Sequence, residues 1–308
     1  MTALLRIGTR GSPLALAMTA EVARLLGAAH DALAEPGAIE TVVITTTGDK
    51  VQDRPLSEIG GKGLFTKEID EALLDGRVDL AVNSAKDLPT GLPGGILLAA
   101  APEREDVRDA FVSLVAGSLA DLPAGARIGT ASLRRQAQIL NKRPDLSVVL
   151  FRGNVETRLR KLAEGQAEAT LLAMAGLKRL GKSDAARAPV AVDDILPAVG
   201  QGAMGLTCRK GDKGVRDWLA RLNHRPTFLA VTAERALLSV LDGSCHTPIA
   251  GLADLADDGN LVLRGLLAEP DGSALFFART STSTATSDGA IDLGRAVADD
   301  LLAQQGRR

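Results

Sequence analysis

Among its 308 residues the chain has no tyrosine, one tryptophan and six phenylalanines. Aromatics at 2% leave little for stacking on bases or sugars, so no nucleic-acid partner is expected. Two cysteines, Cys208 and Cys245, cannot build a disulfide framework, and a reducing cytoplasm is the expected location. His30, His224 and His246 are too dispersed in sequence for metal-ligand spacing, so no metal is expected. No apolar run approaches the ~18 residues of a membrane helix, and no membrane partner is expected. Arg6 and Arg10 bracket a strand-like start where a secretory leader would need an apolar run, so no leader is expected.

What is present is ordinary globular material, 45% hydrophobic and 24% charged, enough for more than one core. The net charge of −2 hides an asymmetry. From Arg127 to Arg187 there are 13 Lys/Arg against 5 Asp/Glu, a local +8 within an otherwise acidic protein. Such a section either holds an anionic ligand locally or forms a solvated basic face.

The first half reads as alternating strands and helices. Leu4–Thr9 is a strand, and Ser12-Pro13 caps and opens a helix carrying Leu16, Ala20, Ala23 and Leu26. Ile39–Thr46, Val78–Asn83 and Ile96–Ala101 read as further strands, and Phe65–Leu74 as a helix. After a charged break at Pro102–Asp106, strands at Arg127–Thr130, Val148–Phe151 and Ala169–Ala173 alternate with helices from Ser132 and Asn154. This alternation predicts parallel sheets faced by helices. Beyond Arg225-Pro226 a helix, three strands with a hairpin signal at Pro270-Asp271-Gly272, and a last helix predict a small α+β unit.

Several motifs bear on chemistry. Gly200–Gly205 fits G-x-G-x-x-G, but Pro197 interrupts the approach and a strand follows, so a tight turn is expected in place of a nucleotide site. Gly60–Gly63 reads as a glycine loop carrying one cation, Lys62. Ser84, Lys86 and Asp87 emerge at the carboxyl end of a buried strand, where α/β sheets bind ligands; an exposed polar strand end would look the same. Thr130, Ser132, Arg134 and Arg135 place hydroxyls and forked donors at a helix start, an anion cradle or a basic surface. Arg152, Gly153, Asn154 and Arg158 repeat the pattern. Cys245, in a Gly/Ser/Pro loop, is either a reactive thiol or an incidental loop cysteine; Cys208 fits a buried strand.

Taken together, these segments resemble the porphobilinogen deaminase (hydroxymethylbilane synthase) family in one consistent order along nearly the whole chain. They are Arg6–Ala15, Gly60–Phe65, Ser84–Pro89, Glu103–Asp106, Gly129–Gln136, Arg152–Val155, Ala175–Leu180, Pro197–Gly202, Thr232–Arg235, and Gly243–Cys245 with Pro248-Ile249. The resemblance implies an α/β fold of two periplasmic-binding-protein-like lobes, 1–102 with 200–222 and 103–199, plus a small C-terminal α+β domain, 223–308. It implies a transferase that condenses four porphobilinogen units with loss of ammonia on a dipyrromethane cofactor, bound by a thioether to Cys245, and then releases 1-hydroxymethylbilane by hydrolysis. Asp87 with Lys86 would be catalytic. Lys86, Asp87, Thr130, Ser132, Arg134, Arg135, Arg152, Gly153 and Gln201 would bind the cofactor. Arg10, Ser12, Lys62, Ser84, Asn154, Arg158 and Arg179 would bind the carboxylate-rich pyrrole chain, in a monomer.

Three positions depart from the family pattern. Asn83 stands where His is frequent, Glu58 where some relatives carry Lys, and Ser244 where a second Gly is commoner. A non-catalytic anion-binding protein of the same fold is the competing expectation, and a mass added at Cys245 discriminates between them.

Overall fold

The structure is a computed structural model that describes residues 3–50, 63–241 and 247–306. Lys62, Glu58 and Cys245 fall outside the described residues. The described residues divide into two compact units, one of 3–50, 63–105 and 203–228, the other of 106–202 and 229–306.

The near-continuous apolar runs Leu80–Ser84 and Met204–Arg209 make strands that are covered on both faces, whereas the edge strand Ile39–Val43 is largely exposed. In the first unit they form a five-stranded sheet in the order Ile39–Val43, Leu5–Thr9, Leu80–Ser84, Met204–Arg209, Ile96–Ala100. The first three run parallel, but Met204–Arg209 is antiparallel to both neighbours. The sheet is therefore mixed, which corrects the expectation of an all-parallel arrangement. A strand that returns after a long excursion is free of the parallel direction that a helical crossover imposes. The helix Pro13–Ala29 starts as expected: Ser12 accepts the Ala15 N–H at 3.3 Å and proline occupies the first turn. Its buried Met18, Val22 and Leu26 recur at helical spacing and pack with Leu5, Ile7 and Leu206.

The second unit holds a similar sheet, in the order Ser147–Val149, Arg127–Gly129, Ala169–Ala173, Asp109–Ser113, Ala188–Pro189. Arg127–Gly129 is parallel to both neighbours, and Asp109–Ser113 is antiparallel. Asp109–Ser113 is a strand the sequence reading left out, and every residue of it is buried. The unit also contains an antiparallel sheet of Ile249–Leu255, Leu261–Ala268 and Leu275–Thr282. One face packs on the helices Arg225–Val240 and Ser287–Gly306 through Leu237, Leu263, Val297 and Leu301. The other meets Ala137 and Leu196 through Leu252, Leu266 and Ala268. The hairpin at 270–272 docks on the helix Leu133–Lys142: Gln136 donates to Pro270 O and Asn141 to Gly272 O. Gly272 has φ +77°, and a Cβ there would lie 2.6 Å from Asn141 N, so both backbone and space demand glycine. No described helix is long and apolar enough to cross a membrane.

Candidate active site

In the first unit the buried strand Leu80–Ser84 runs straight into a single 3₁₀ turn, Ala85–Asp87. The turn is anchored where Ala85 N–H donates to Ala203 O at 3.0 Å. Asp87 is thus delivered, half-buried, to a small cavity of about 40 Å³ that it lines with Arg10, Ser12, Phe65, Asn83 and Ser84. Lys86, between Ser84 and Asp87, is exposed. Asn83 is 5% exposed, and its Nδ2 donor has no hydrogen-bond partner among the described residues. Ser84 Oγ donates to Met18 Sδ at 3.7 Å.

Arg10, expected to hold a ligand carboxylate, donates to Asp49, Nε to Oδ1 at 3.1 Å and Nη2 to the same oxygen at 2.5 Å. Its guanidinium lies 4.2 Å from the Phe65 ring centre. Burial alone would raise the Asp49 carboxyl, but hydrogen bonds from Arg10 and Thr46 bring it below the usual carboxylate range.

In the second unit the hydroxyls fall where the sequence placed them. Ser132 caps Leu133–Lys142, accepting the Arg135 N–H at 3.4 Å, and Thr130 Oγ1 accepts the Ser132 N–H at 3.0 Å. Arg134 and Arg135 are each 5% exposed, and both turn inward onto Asp109, which is 0% exposed. Arg134 Nη2 donates to Asp109 Oδ2 at 2.8 Å, and Arg135 Nη2 to Oδ1 at 2.6 Å. Their other arms reach Leu196 O and Leu171 O, each at 2.7 Å. Gln201, 1% exposed, completes the cluster by donating to Asp109 Oδ1 at 2.9 Å and to Val107 O at 2.7 Å.

These two forks therefore form a buried cationic cluster around Asp109. Two guanidinium groups share one carboxylate, which leaves one positive charge in excess at a helix N-terminus, where a cation is already unfavourable. Arg134 Nε has no partner among the described residues. Burial works to raise the Asp109 carboxyl, yet the two arginines hold it far below its ordinary range; burial lowers Arg134.

Asp109 is the residue the sequence reading missed. The available signal was an acid opening the apolar run Asp109–Ser113, since a buried carboxylate requires cationic partners.

The second arginine group follows the next strand. Gly153 has φ +115°, and a Cβ on it would lie 2.5 Å from Thr157 Cγ2. Asn154 caps Val155–Ala163, accepting the Thr157 N–H at 2.9 Å. Arg158 Nε donates to Gly153 O at 2.9 Å, and Arg152 is 8% exposed. Arg179 Nη1 reaches Gly202 O at 3.3 Å. The G-x-G-x-x-G segment is the expected tight turn: Gly200 and Gly202 have φ +72° and +86°. Cys208 is buried in Met204–Arg209, and burial pushes its thiol up to about 11. Cys245 and Lys62 lie outside the described residues, so no geometry attaches to them.

Two family models match the chain. "Porphobilinogen deaminase, dipyromethane cofactor binding domain" covers residues 5–217, and "Porphobilinogen deaminase, C-terminal domain" covers 228–303. The chloroplastic porphobilinogen deaminase of Oryza sativa is 57% identical over 303 residues, 98% of this chain and 84% of that protein. The porphobilinogen deaminase of Nitrobacter winogradskyi is 52% identical over 305 residues, 99% and 95% of the two chains. A periplasmic substrate-binding protein from Coxiella burnetii aligns with 75% of this chain and 96% of its own, at 16% identity and a TM-score of 0.45.

Proposed function

The chain belongs to the porphobilinogen deaminase family, and from that we propose that it condenses four porphobilinogen units head to tail with loss of ammonia. The reaction is a transfer onto a dipyrromethane primer attached by a thioether to Cys245, followed by hydrolytic release of 1-hydroxymethylbilane. We place the enzyme in the cytoplasm as a monomer.

The observation that carries this reading is Asp87: a single carboxylate at a strand end, half-buried in a cavity with Arg10, Ser12 and Ser84. When bound, the primer would supply the free pyrrole carbon that receives the first unit, and each added unit would supply the carbon for the next. The donors present suit a group bearing acetates and propionates. The Arg134–Asp109–Arg135 cluster carries uncompensated positive charge, and Asn83 Nδ2 is an unused donor at the cavity. Thr130, Ser132, Gly153, Gln201, Lys86 and Arg152 complete the set that would hold the primer. Arg10, Lys62, Asn154, Arg158 and Arg179 would hold carboxylates of the lengthening chain.

Asp87 faces the cation that develops on porphobilinogen as ammonia leaves, and it stabilises that charge by being fixed beforehand. Arg134 and Arg135 share the single carboxylate of Asp109, so one positive charge remains to attract the primer's carboxylates, and Arg134 Nε remains an unused donor among the described residues. Arg152, whose backbone oxygen accepts from Lys161 at 3.2 Å, adds to that attraction.

Intact-mass spectrometry tests the proposal. The protein as purified should exceed its sequence mass by one dipyrromethane and should consume porphobilinogen. An unmodified mass in protein that binds porphobilinogen without consuming it would establish the anion-binding alternative.

A further inference from the structure

The antiparallel sheet of the second unit is covered only in part on the face that meets Ala137 and Leu196. Leu266, Ala268 and Leu275 are packed there. Phe277 and Arg279 follow Leu275 at alternate positions of the same strand, so they share its face. Phe277 is 57% exposed. Between this edge of the face, the helix Leu133–Lys142 and the segment 192–196 lies a cavity of about 380 Å³, a size that suits a small ligand. Its lining belongs to the second unit alone.

Val192, Leu196 and Leu275 supply apolar surface to the cavity, and the other contributors include charged groups. Lys142 is paired with Asp194 at 2.5 Å and Arg264 with Asp193 at 2.9 Å. Asp254, outside the cavity, stands 3.6 Å from Arg264. Arg279 has no hydrogen bond or ion pair among the described residues. It also lies directly opposite Arg264 in the strand pairing, where two like charges repel. One cation is thus left over beside an exposed aromatic ring. An anion on Arg279 would relieve the repulsion, and a ring on Phe277 would cover the apolar surface. A second carboxylate on the same ligand would face Asp193 and Asp194.

The wall of this cavity also supports Arg134. Leu196 O accepts from Arg134 Nη1 at 2.7 Å and from Gln138 Nε2 at 3.1 Å, and Leu196 N–H donates to Gln138 Oε1 at 2.7 Å. Leu196 and Gln138 both line the cavity, while Arg134 lies behind them on Asp109. A molecule that packs on Leu196 therefore presses on the group that fixes Arg134.

We propose that the cavity is a second ligand site, which takes a small planar aromatic monocarboxylate, its ring on Phe277 and its carboxylate on Arg279, and that its occupancy is transmitted through Leu196 to the Arg134–Asp109–Arg135 cluster.

Indoleacetate is the probe, and its neutral counterpart indoleacetamide the control. Each is titrated calorimetrically into the full chain as wild type, Arg279→Gln, Phe277→Ala and Arg295→Gln. The three substituted side chains are exposed, so the fold tolerates their loss. Arg295→Gln removes the same charge at a distance, on the helix Ser287–Gly306. Wild type and Arg295→Gln should bind indoleacetate with a Kd of about 1 mM or tighter, as ordinary ligand efficiency gives for a molecule of this size. Arg279→Gln, and the amide on wild type, should bind at least ~10-fold more weakly. Phe277→Ala should weaken binding roughly 3-fold or more. Equal affinity of wild type and Arg279→Gln, or of acid and amide, would overturn the site. So would an absence of binding at about ten times the expected Kd.

Transmission is read by nuclear magnetic resonance of isotope-labelled protein. Filling the site should shift the amide resonances of Asp109 and Gln201, which do not line the cavity. Shifts confined to lining residues would overturn the link to the cluster. Neither measurement needs turnover, so a protein that passes both and consumes no porphobilinogen would overturn the functional reading alone.

Discussion

Arg135 grips Asp109 with two arms of its guanidinium, Nη2 to Oδ1 at 2.6 Å and Nε to Oδ2 at 3.2 Å. Neither side chain is more than 6% exposed. The pair lies 26 residues apart in sequence, on a strand and a helix whose contact no local pattern announces. The consequence is that a residue type associated with ligand capture is committed to a partner inside the protein.

Asp109→Asn should therefore be among the most destabilising single changes in the second unit. It leaves two buried guanidinium groups facing a neutral amide, and breaking a buried ion pair from one side costs about 3–5 kcal/mol. Denaturant unfolding of the full chain checks this. Arg134→Lys should also lose stability, since an ammonium cannot span Asp109 Oδ2 and Leu196 O as the fork does. Had Arg134 been the exposed cation that its place at a helix start suggests, the change would cost only ~0–1 kcal/mol.

Cys245→Ala should give protein of unmodified mass that forms no product. Cys208→Ser should keep the adduct, because the Cys208 thiol is buried and held protonated at neutral pH. Intact mass of the two variants decides it. An adduct that survives in Cys245→Ala would move the attachment point elsewhere.

Asp87→Asn should slow every condensation, not only the first. One carboxylate occupies one strand end, and the same group must serve each incoming unit. Removing one preorganised charge of this kind costs ~2.7–4 kcal/mol, or roughly 10²–10³ in rate. Partly extended chains should then be visible as discrete mass increments on the protein. Normal early additions followed by a stall would assign different groups to different steps.

Asp70 offers a pH test of the fold. It is 3% exposed in the helix Lys67–Leu74, and burial raises its carboxyl to about 6. A carboxyl whose folded value lies above its unfolded one stabilises the fold in its protonated form. That contribution is fully present below about pH 4 and is lost as pH rises through about 6. Asp70→Asn should remove this part of the pH dependence and raise stability at pH 7, by ~1 kcal/mol after allowance for solvent screening. Melting curves of both proteins between pH 4 and 8 provide the check; identical slopes would exclude Asp70 as the titrating group.

Much was legible along the chain because it is decided within a few residues. The caps at Ser12, Ser132 and Asn154 satisfy N–H groups three residues on, and each sits where the sequence placed it. The glycine turn at 200–202 and the hairpin at 270–272 follow from positive φ values that glycine alone adopts without strain. The acidic strand end at Asp87 is likewise local, the carboxyl end of an apolar run.

Only the tertiary structure decided direction and partnership. Alternating strands and helices cannot say that Met204–Arg209 returns antiparallel into the middle of a sheet begun 200 residues earlier, because pairing direction depends on the route of the intervening chain. Nor can charge counting say which cations face a ligand. Arg134 and Arg135 look identical to surface arginines in sequence; what turns them inward is Asp109, an acid with no water to solvate it. The same holds for Glu234, whose two acceptors are matched to N–H groups 34 residues before it and 19 after. Burial makes such distant pairings obligatory, and burial is a property of the folded chain alone.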